Sequence, residues 1–125
     1  MIDHVSIGVT DIARSKAFYD AVLGALGYRC TSEDASSLGY GRDQTFLWLL
    51  KAERLVKPDM GSGLHFCFKA DSRDGVSGFH DAALKHGGSD NGKAGLREDY
   101  GANYFAAFVI DPDGYRLEAY YDKAG

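Results

Sequence analysis

The stretch from His4 to Gly27 of this 125-residue chain is written a second time, 61 positions later and without a gap. His4-Val-Ser-Ile-Gly8 falls on His65-Phe-Cys-Phe-Lys69. The same register carries Ala17-Phe-Tyr-Asp-Ala-Val-Leu-Gly-Ala-Leu-Gly27 onto Gly78-Phe-His-Asp-Ala-Ala-Leu-Lys-His-Gly-Gly88. Phe18/Phe79, Asp20/Asp81, Ala21/Ala82, Leu23/Leu84 and Gly27/Gly88 are identical across the two copies. A repeat of this kind decides the architecture before local propensity does. Each copy is one supersecondary unit that buries its apolar face only by packing on the other.

Within the first copy, Val5, Ile7 and Val9 alternate with polar or small residues, as a half-buried strand requires. Asp11 or Thr10 can cap a helix whose Ile12, Ala17, Phe18, Ala21, Val22 and Ala25 recur at helical spacing and which ends at Gly27. Strands are expected at about 28–32, 37–41 and 46–50. The second copy gives a strand at 64–70, a helix from about 75 to 86 ending at Gly87-Gly88, and strands at 104–110 and 115–121. Asp111-Pro-Asp-Gly114 between the last two is a turn by composition, with Pro presetting φ and Gly supplying a positive φ. Thr45-Phe-Leu-Trp-Leu-Leu50 corresponds to Tyr115-Arg-Leu-Glu-Ala-Tyr120 once about nine extra residues are allowed in the second copy.

The expected fold is α+β: two tandem βαβββ modules whose mixed sheets form a cup or half-barrel with the helices outside. Residues 1–125 make one domain, with module one at 1–55, a linker at about 51–63 and module two at 62–125. A formal charge of −4 with no Lys/Arg run gives no surface for neutralising phosphates, so no nucleic-acid partner is expected. No apolar stretch approaches the roughly 20 residues of a membrane span, and Met-Ile-Asp-His lacks a signal-peptide pattern. A cytoplasmic location without membrane association is expected. Cys30 and Cys67 show no metal-type spacing and read as free thiols.

Strand alternation sorts the side chains onto two faces. Val5, Ile7, Val9, Leu64, Phe66, Phe68, Leu117, Ala119 and Tyr121 belong toward the helices. The other face carries His4, Ser6, His65, Cys67, Lys69, Arg116, Glu118 and Tyr120. His4 and His65 occupy equivalent repeat positions. If the sheets close into a cup, two imidazoles and the Glu118 carboxylate form a ligand set for Fe(II), Mn, Ni, Zn or Co with open positions for water and substrate. His80 and His86 have no such partners and read as structural. Thiol chemistry at Cys67 needs Lys69 or His65 as its base.

The motifs Ile2-Asp-His4-Val-Ser-Ile-Gly-Val-Thr-Asp11, Ser15-Lys-Ala-Phe-Tyr19, Leu23-Gly-Ala-Leu-Gly-Tyr28, Gly63-Leu-His65 and Asp111-Pro-Asp-Gly-Tyr-Arg-Leu-Glu118 cover nearly the whole chain. Together they resemble the vicinal oxygen chelate superfamily of glyoxalase I, extradiol dioxygenases, methylmalonyl-CoA epimerase and the bleomycin- and fosfomycin-resistance proteins. The resemblance implies a divalent metal at His4, His65 and Glu118. It also implies a homodimer, with the cup formed within one chain or by exchange of modules between two.

Glyoxalase I-like enzymes add a carboxylate or amide ligand from the last strand of the first module, and that place here is Trp48. Indole offers an N–H donor and no lone pair to a metal, which disfavours glyoxalase I activity itself. The expected function is therefore a metal-dependent lyase, isomerase or dioxygenase acting on a small oxygenated molecule. The alternative is a metal-free binding or drug-resistance protein. Trp48, Phe46, Cys67, Lys69, Arg97, Tyr100, Arg116 and Tyr120 are the candidate substrate-binding residues, for a ligand that is anionic and partly apolar. Asn103 and Tyr104 belong with Arg97 and Tyr100 on the long connection before the last hairpin.

Overall fold

The structure is a computed structural model that describes residues 1–57 and 60–124. Module one runs β1 (Val5–Val9), α1 (Ile12–Gly24), β2 (Arg29–Glu33), β3 (Ser37–Gly41) and β4 (Thr45–Lys51). Module two runs β5 (Phe66–Lys69), α2 (Arg73–Lys85), β6 (Ser89–Leu96), β7 (Phe105–Ile110) and β8 (Arg116–Tyr121). The strands form two open four-stranded sheets of the same topology, β1-β4-β3-β2 and β5-β8-β7-β6. In each, the first strand lies parallel to the last and the remaining pairs are antiparallel. The duplicated βαβββ order is thus present in the backbone. The expected linker lies around a short 3-10 turn, Met60–Ser62, and its positions 58 and 59 fall outside the described residues.

The repeat offset holds residue by residue through the helices. Both have 13 residues, and their N-caps are the equivalent positions Asp11 and Ser72. Asp11 accepts from the Arg14 amide at 3.0 Å and Ser72 from the Gly75 amide at 3.0 Å, satisfying an otherwise orphaned N–H in each first turn. The C-termini differ by one residue. Gly27 is the left-handed residue after α1 (φ +86°), but Gly87, not its repeat equivalent Gly88, takes that conformation after α2 (φ +94°). Gly88 serves a different need: a Cβ there would stand 2.6 Å from Phe18 Cε1 and 2.8 Å from the Ile110 carbonyl oxygen.

β6 is the element that hydrophobic patterning did not reveal. Its sequence, SDNGKAGL, has no apolar alternation, and its pairing with β7 shifts register on either side of Gly92. It is an edge strand held by backbone hydrogen bonds more than by side-chain burial.

The core lies between the helices and the two sheets. Phe18, Tyr19, Val22 and Leu23 of α1 and Val76, Phe79 and Ala83 of α2 are buried against Val9, Leu38, Tyr40, Leu47 and Leu49 of one sheet. From the other sheet come Phe68, Val109, Leu117 and Ala119. Each fully buried Leu or Phe contributes roughly 1.5–3 kcal/mol. The Asp111–Gly114 turn also joins the modules: Tyr19 donates to Asp111 Oδ2 at 2.5 Å, Tyr115 donates to the Gly8 carbonyl at 2.8 Å, and Thr10 and Arg14 both donate to Asp113 Oδ1.

Candidate functional site

His65 lies one residue before β5, and Glu118 lies on β8, directly opposite Cys67 of β5. This register brings His65 Nε2 to 3.1 Å from Glu118 Oε1. Glu118 is almost wholly buried, at 4% exposure, whereas His65 is open to solvent. The second carboxylate oxygen, Oε2, accepts a hydrogen bond from the Tyr104 hydroxyl at 2.5 Å. Partial burial and the adjacent Glu118 carboxylate raise the Tyr104 hydroxyl well above its ordinary range. Burial first, and then Glu118, push the Cys67 thiol up to about 12. A thiol so disfavoured as thiolate is a poor nucleophile at neutral pH, and no base beside it offsets the effect.

His4 is not part of this cluster within one chain. Its Nδ1 lies 2.8 Å from Asp3 Oδ1 on an exposed segment before β1. Among the described residues no group of three or more His, Cys, Asp or Glu side chains comes within range of a common metal ion. The pairing register places Ser6 opposite Trp48 and Cys67 opposite Glu118. Ser6 and Cys67 are repeat equivalents, so Trp48 stands in module one where Glu118 stands in module two. Its ring is half-buried over Gly39, where a Cβ would meet Trp48 Cζ3 at 2.8 Å.

The other expected residues are dispersed around this centre. Phe46 packs against Tyr28 and Phe68, with ring centroids 5.2 and 5.9 Å away. Tyr120 stacks on Tyr104 at 5.0 Å, and Tyr100 meets Tyr104 edge-on at 5.3 Å while remaining 67% exposed. Lys69 and Tyr120 line one depression with Asp71 and Lys123. Arg97 is tied to the carbonyls of Gly95 and Lys93 and lies over the Phe108 ring. Arg116 lines a cavity next to His65. His80 is buried with Nε2 2.8 Å from Asp90 Oδ1, and His86 meets the Ala82 carbonyl. Tyr104 is the contact that sequence reading did not assign: its place on the connection was legible, its hydrogen bond to Glu118 was not.

The His65/Glu118 pair offers two donor atoms that could hold one cation. Two ligands at about 2.1 Å from one metal, at right angles, stand about 3 Å apart, so the observed 3.1 Å suits two neighbouring positions on one ion. Tyr104 leaves Oε1 available for that purpose by occupying Oε2. No helix is long and apolar enough to cross a membrane among the described residues.

A glyoxalase/bleomycin resistance protein from Albidiferax ferrireducens superposes with TM-score 0.82 at 29% identity, covering 94% of this chain and 96% of that one. A glyoxalase/bleomycin resistance protein/dioxygenase family enzyme from Burkholderia phytofirmans superposes with TM-score 0.74 at 14% identity over 98% of each chain. The fosfomycin resistance protein FosX of Mesorhizobium loti shares the fold at TM-score 0.71 and 16% identity, covering 98% of this chain and 92% of that one. No match is found among curated proteins. The family profile matches residues 1–119, and the chain belongs to the glyoxalase/bleomycin resistance protein/dioxygenase superfamily.

Proposed function

We propose that the protein is a metal-dependent enzyme of the lyase, isomerase or dioxygenase kind, acting in the cytoplasm on a small oxygenated molecule. The observation that carries this reading is the 3.1 Å separation of His65 Nε2 and Glu118 Oε1, with Tyr104 orienting the carboxylate. His65 and Glu118 are two of the ligands to a divalent ion, and His4 is the third. When bound, such an ion supplies Lewis acidity toward a substrate oxygen and holds two adjacent oxygens in place. Glu118 contributes the buried negative charge of the site, and Tyr104 fixes the direction of its lone pairs. The half-buried Trp48 walls the opposite side, so the site is three-liganded and asymmetric, which sets it apart from glyoxalase I.

His4 reaches the pair by association of two chains, module one of one copy completing module two of the other. Its separation from His65 and Glu118 within one chain supports this reading, as do the exposed apolar side chains Ile2, Leu50 and Leu64 near the ends of β1, β4 and β5. The experiment mixes His4→Ala and Glu118→Ala proteins, each deficient in metal binding. Exchange of subunits in a shared-site dimer restores about a quarter of the metal sites. No restoration after confirmed exchange would rule out the shared site. Failure of wild-type protein, purified without chelator, to bind any divalent ion would rule out the metal.

A metal-free binding protein is the second reading, favoured by the aromatic Trp48 at the position equivalent to Glu118. A ligand entering beside Trp48 changes its fluorescence whether or not metal is present.

A further inference from the structure

Asn91-Gly92 on β6 is the chain's one Asn-Gly pair; its other asparagine, Asn103, precedes Tyr104. An asparagine followed by glycine carries a reaction of its own. The glycine nitrogen can attack the asparagine side-chain carbonyl carbon, because a following residue without Cβ leaves that nitrogen open to approach.

The fold fixes one half of this pair and leaves the other free. Gly92 has a φ of +148°, and a Cβ on it would stand 3.0 Å from Phe108 Cδ2 and 3.3 Å from Arg97 Nη2. No other residue fits there without strain. Asn91 is under no such demand. It is exposed, and it is the extra residue of a bulge: Asp90 is registered with Val109 and Gly92 with the adjacent Phe108, which leaves Asn91 no partner on β7.

The Gly92 amide is itself held. It donates to Asp90 Oδ1 at 2.9 Å, and the same oxygen accepts from His80 Nε2 of α2 at 2.8 Å. His80 first, and then the Gly92 amide, keep the Asp90 carboxyl below its ordinary range, so it is negative at neutral pH. The attacking form of Gly92 is its deprotonated nitrogen. That anion would lose the hydrogen bond and face a carboxylate oxygen at the same distance. Asp90 therefore opposes the reaction.

We propose that Asn91 is a site of spontaneous deamidation, held in check by the His80–Asp90–Gly92 contact and released when that contact opens. The Gly92 nitrogen bonds to Asn91 Cγ and gives up its proton; the Cγ–Nδ2 bond breaks, and the amide nitrogen leaves with that proton as ammonia. Water then opens the cyclic imide at either carbonyl, giving aspartate or, where the main chain now runs through Cγ, isoaspartate. Asn91 shares a cavity wall with His65, so either product puts a negative charge there. Nothing in this inference draws on the proposed metal site.

The test incubates the full chain at physiological pH and temperature beside an unstructured peptide of residues 88–95, with products at each asparagine followed by mass spectrometry. Conversion is expected at Asn91 and not at Asn103, at least tenfold slower in the folded chain than in the peptide. Asp90→Ala should speed it at least tenfold, the effect of removing a hydrogen bond to a charged group, and leave the peptide rate nearly unchanged. Asp90→Ser, which keeps an acceptor without the charge, should fall between. No conversion at Asn91 in Asp90→Ala, or a rate equal to wild type, overturns the proposal. Hydrogen exchange of the other β6 amides is read alongside: if they open together with Asn91, the effect belongs to loss of the strand and control by Asp90 is refuted. If Asp90→Ala does not fold, Asp90→Ser and the peptide comparison decide, and equal rates in chain and peptide overturn it.

Discussion

Tyr104 donates its hydroxyl hydrogen to Oε2 of Glu118 at 2.5 Å while Oε1 of the same carboxylate faces His65 Nε2 at 3.1 Å. The carboxylate is thereby divided, with one oxygen held by the protein and the other turned toward an imidazole. Removing the phenol without removing the ring tests what that division does. Tyr104→Phe keeps the stack on Tyr120 and is expected to weaken divalent-metal affinity about 10- to 100-fold, the usual effect of losing a group that orients a ligand. Titration with Co(II), followed by its visible absorption, measures this. Unchanged affinity and spectrum would mean that Tyr104 does not orient Glu118.

Cys67 is accessible as a residue but its thiol is held up to about 12. At pH 8 about one part in ten thousand is then thiolate. Iodoacetamide should label Cys67 very slowly, and Glu118→Gln, which removes the neighbouring charge, should accelerate it. Mass spectrometry of a labelling time course reads both rates. Rapid labelling of wild-type Cys67 would contradict the arrangement around Glu118.

Gly39 is required by Trp48. A methyl group at position 39 would lie 2.8 Å from Trp48 Cζ3 and 2.9 Å from Thr45 Cγ2. Gly39→Ala is expected to cost about 1–3 kcal/mol through overpacking and to change the emission of the chain's single tryptophan. Urea denaturation and a fluorescence spectrum test this, and a variant with wild-type stability and emission would refute it.

Asp111 gives a pH-dependent prediction. Burial raises its carboxyl above the ordinary 3.8, against the donors Tyr19, Asp113 N and Tyr115 N. A raised acid binds its proton more tightly folded than unfolded. Its contribution to stability is complete below the ordinary value and is lost as pH rises through the folded-state value. Asp111→Asn lacks this step. As pH rises from below the ordinary carboxyl value of 3.8 through the raised folded-state value, the stability difference should move in the variant's favour. A difference independent of pH would show that the folded carboxyl is not raised.

The repeat made most of the fold legible, because it required two equivalent units and located both helices, with the first cap expected at Asp11 or Thr10 and found at Asp11. β6 escaped because its Ser, Asn, Lys and paired glycines carry no period, its order coming from backbone pairing with β7. The candidate site was legible in part. His65 and Glu118 follow from strand alternation across adjacent parallel strands, a local relationship that sequence spacing captures. The position of His4 relative to them depends on how modules or chains associate, which alternation within a strand does not encode. Tyr104 opens the expected strand 104–110 and stands one residue before β7, and alternation along that strand carries no signal that directs its hydroxyl to Glu118.

The contacts that Asp111, Asp113 and Tyr115 make with Tyr19, Thr10, Arg14 and Gly8 mean that covalent continuity is not what keeps the halves of one chain together. None of these contacts, nor the burial of α1 and α2, draws on the peptide bonds of segment 51–63. A chain interrupted there has the makings of a pair of complementing fragments, each carrying half of a lock whose bolt is the Asp-Pro-Asp-Gly turn.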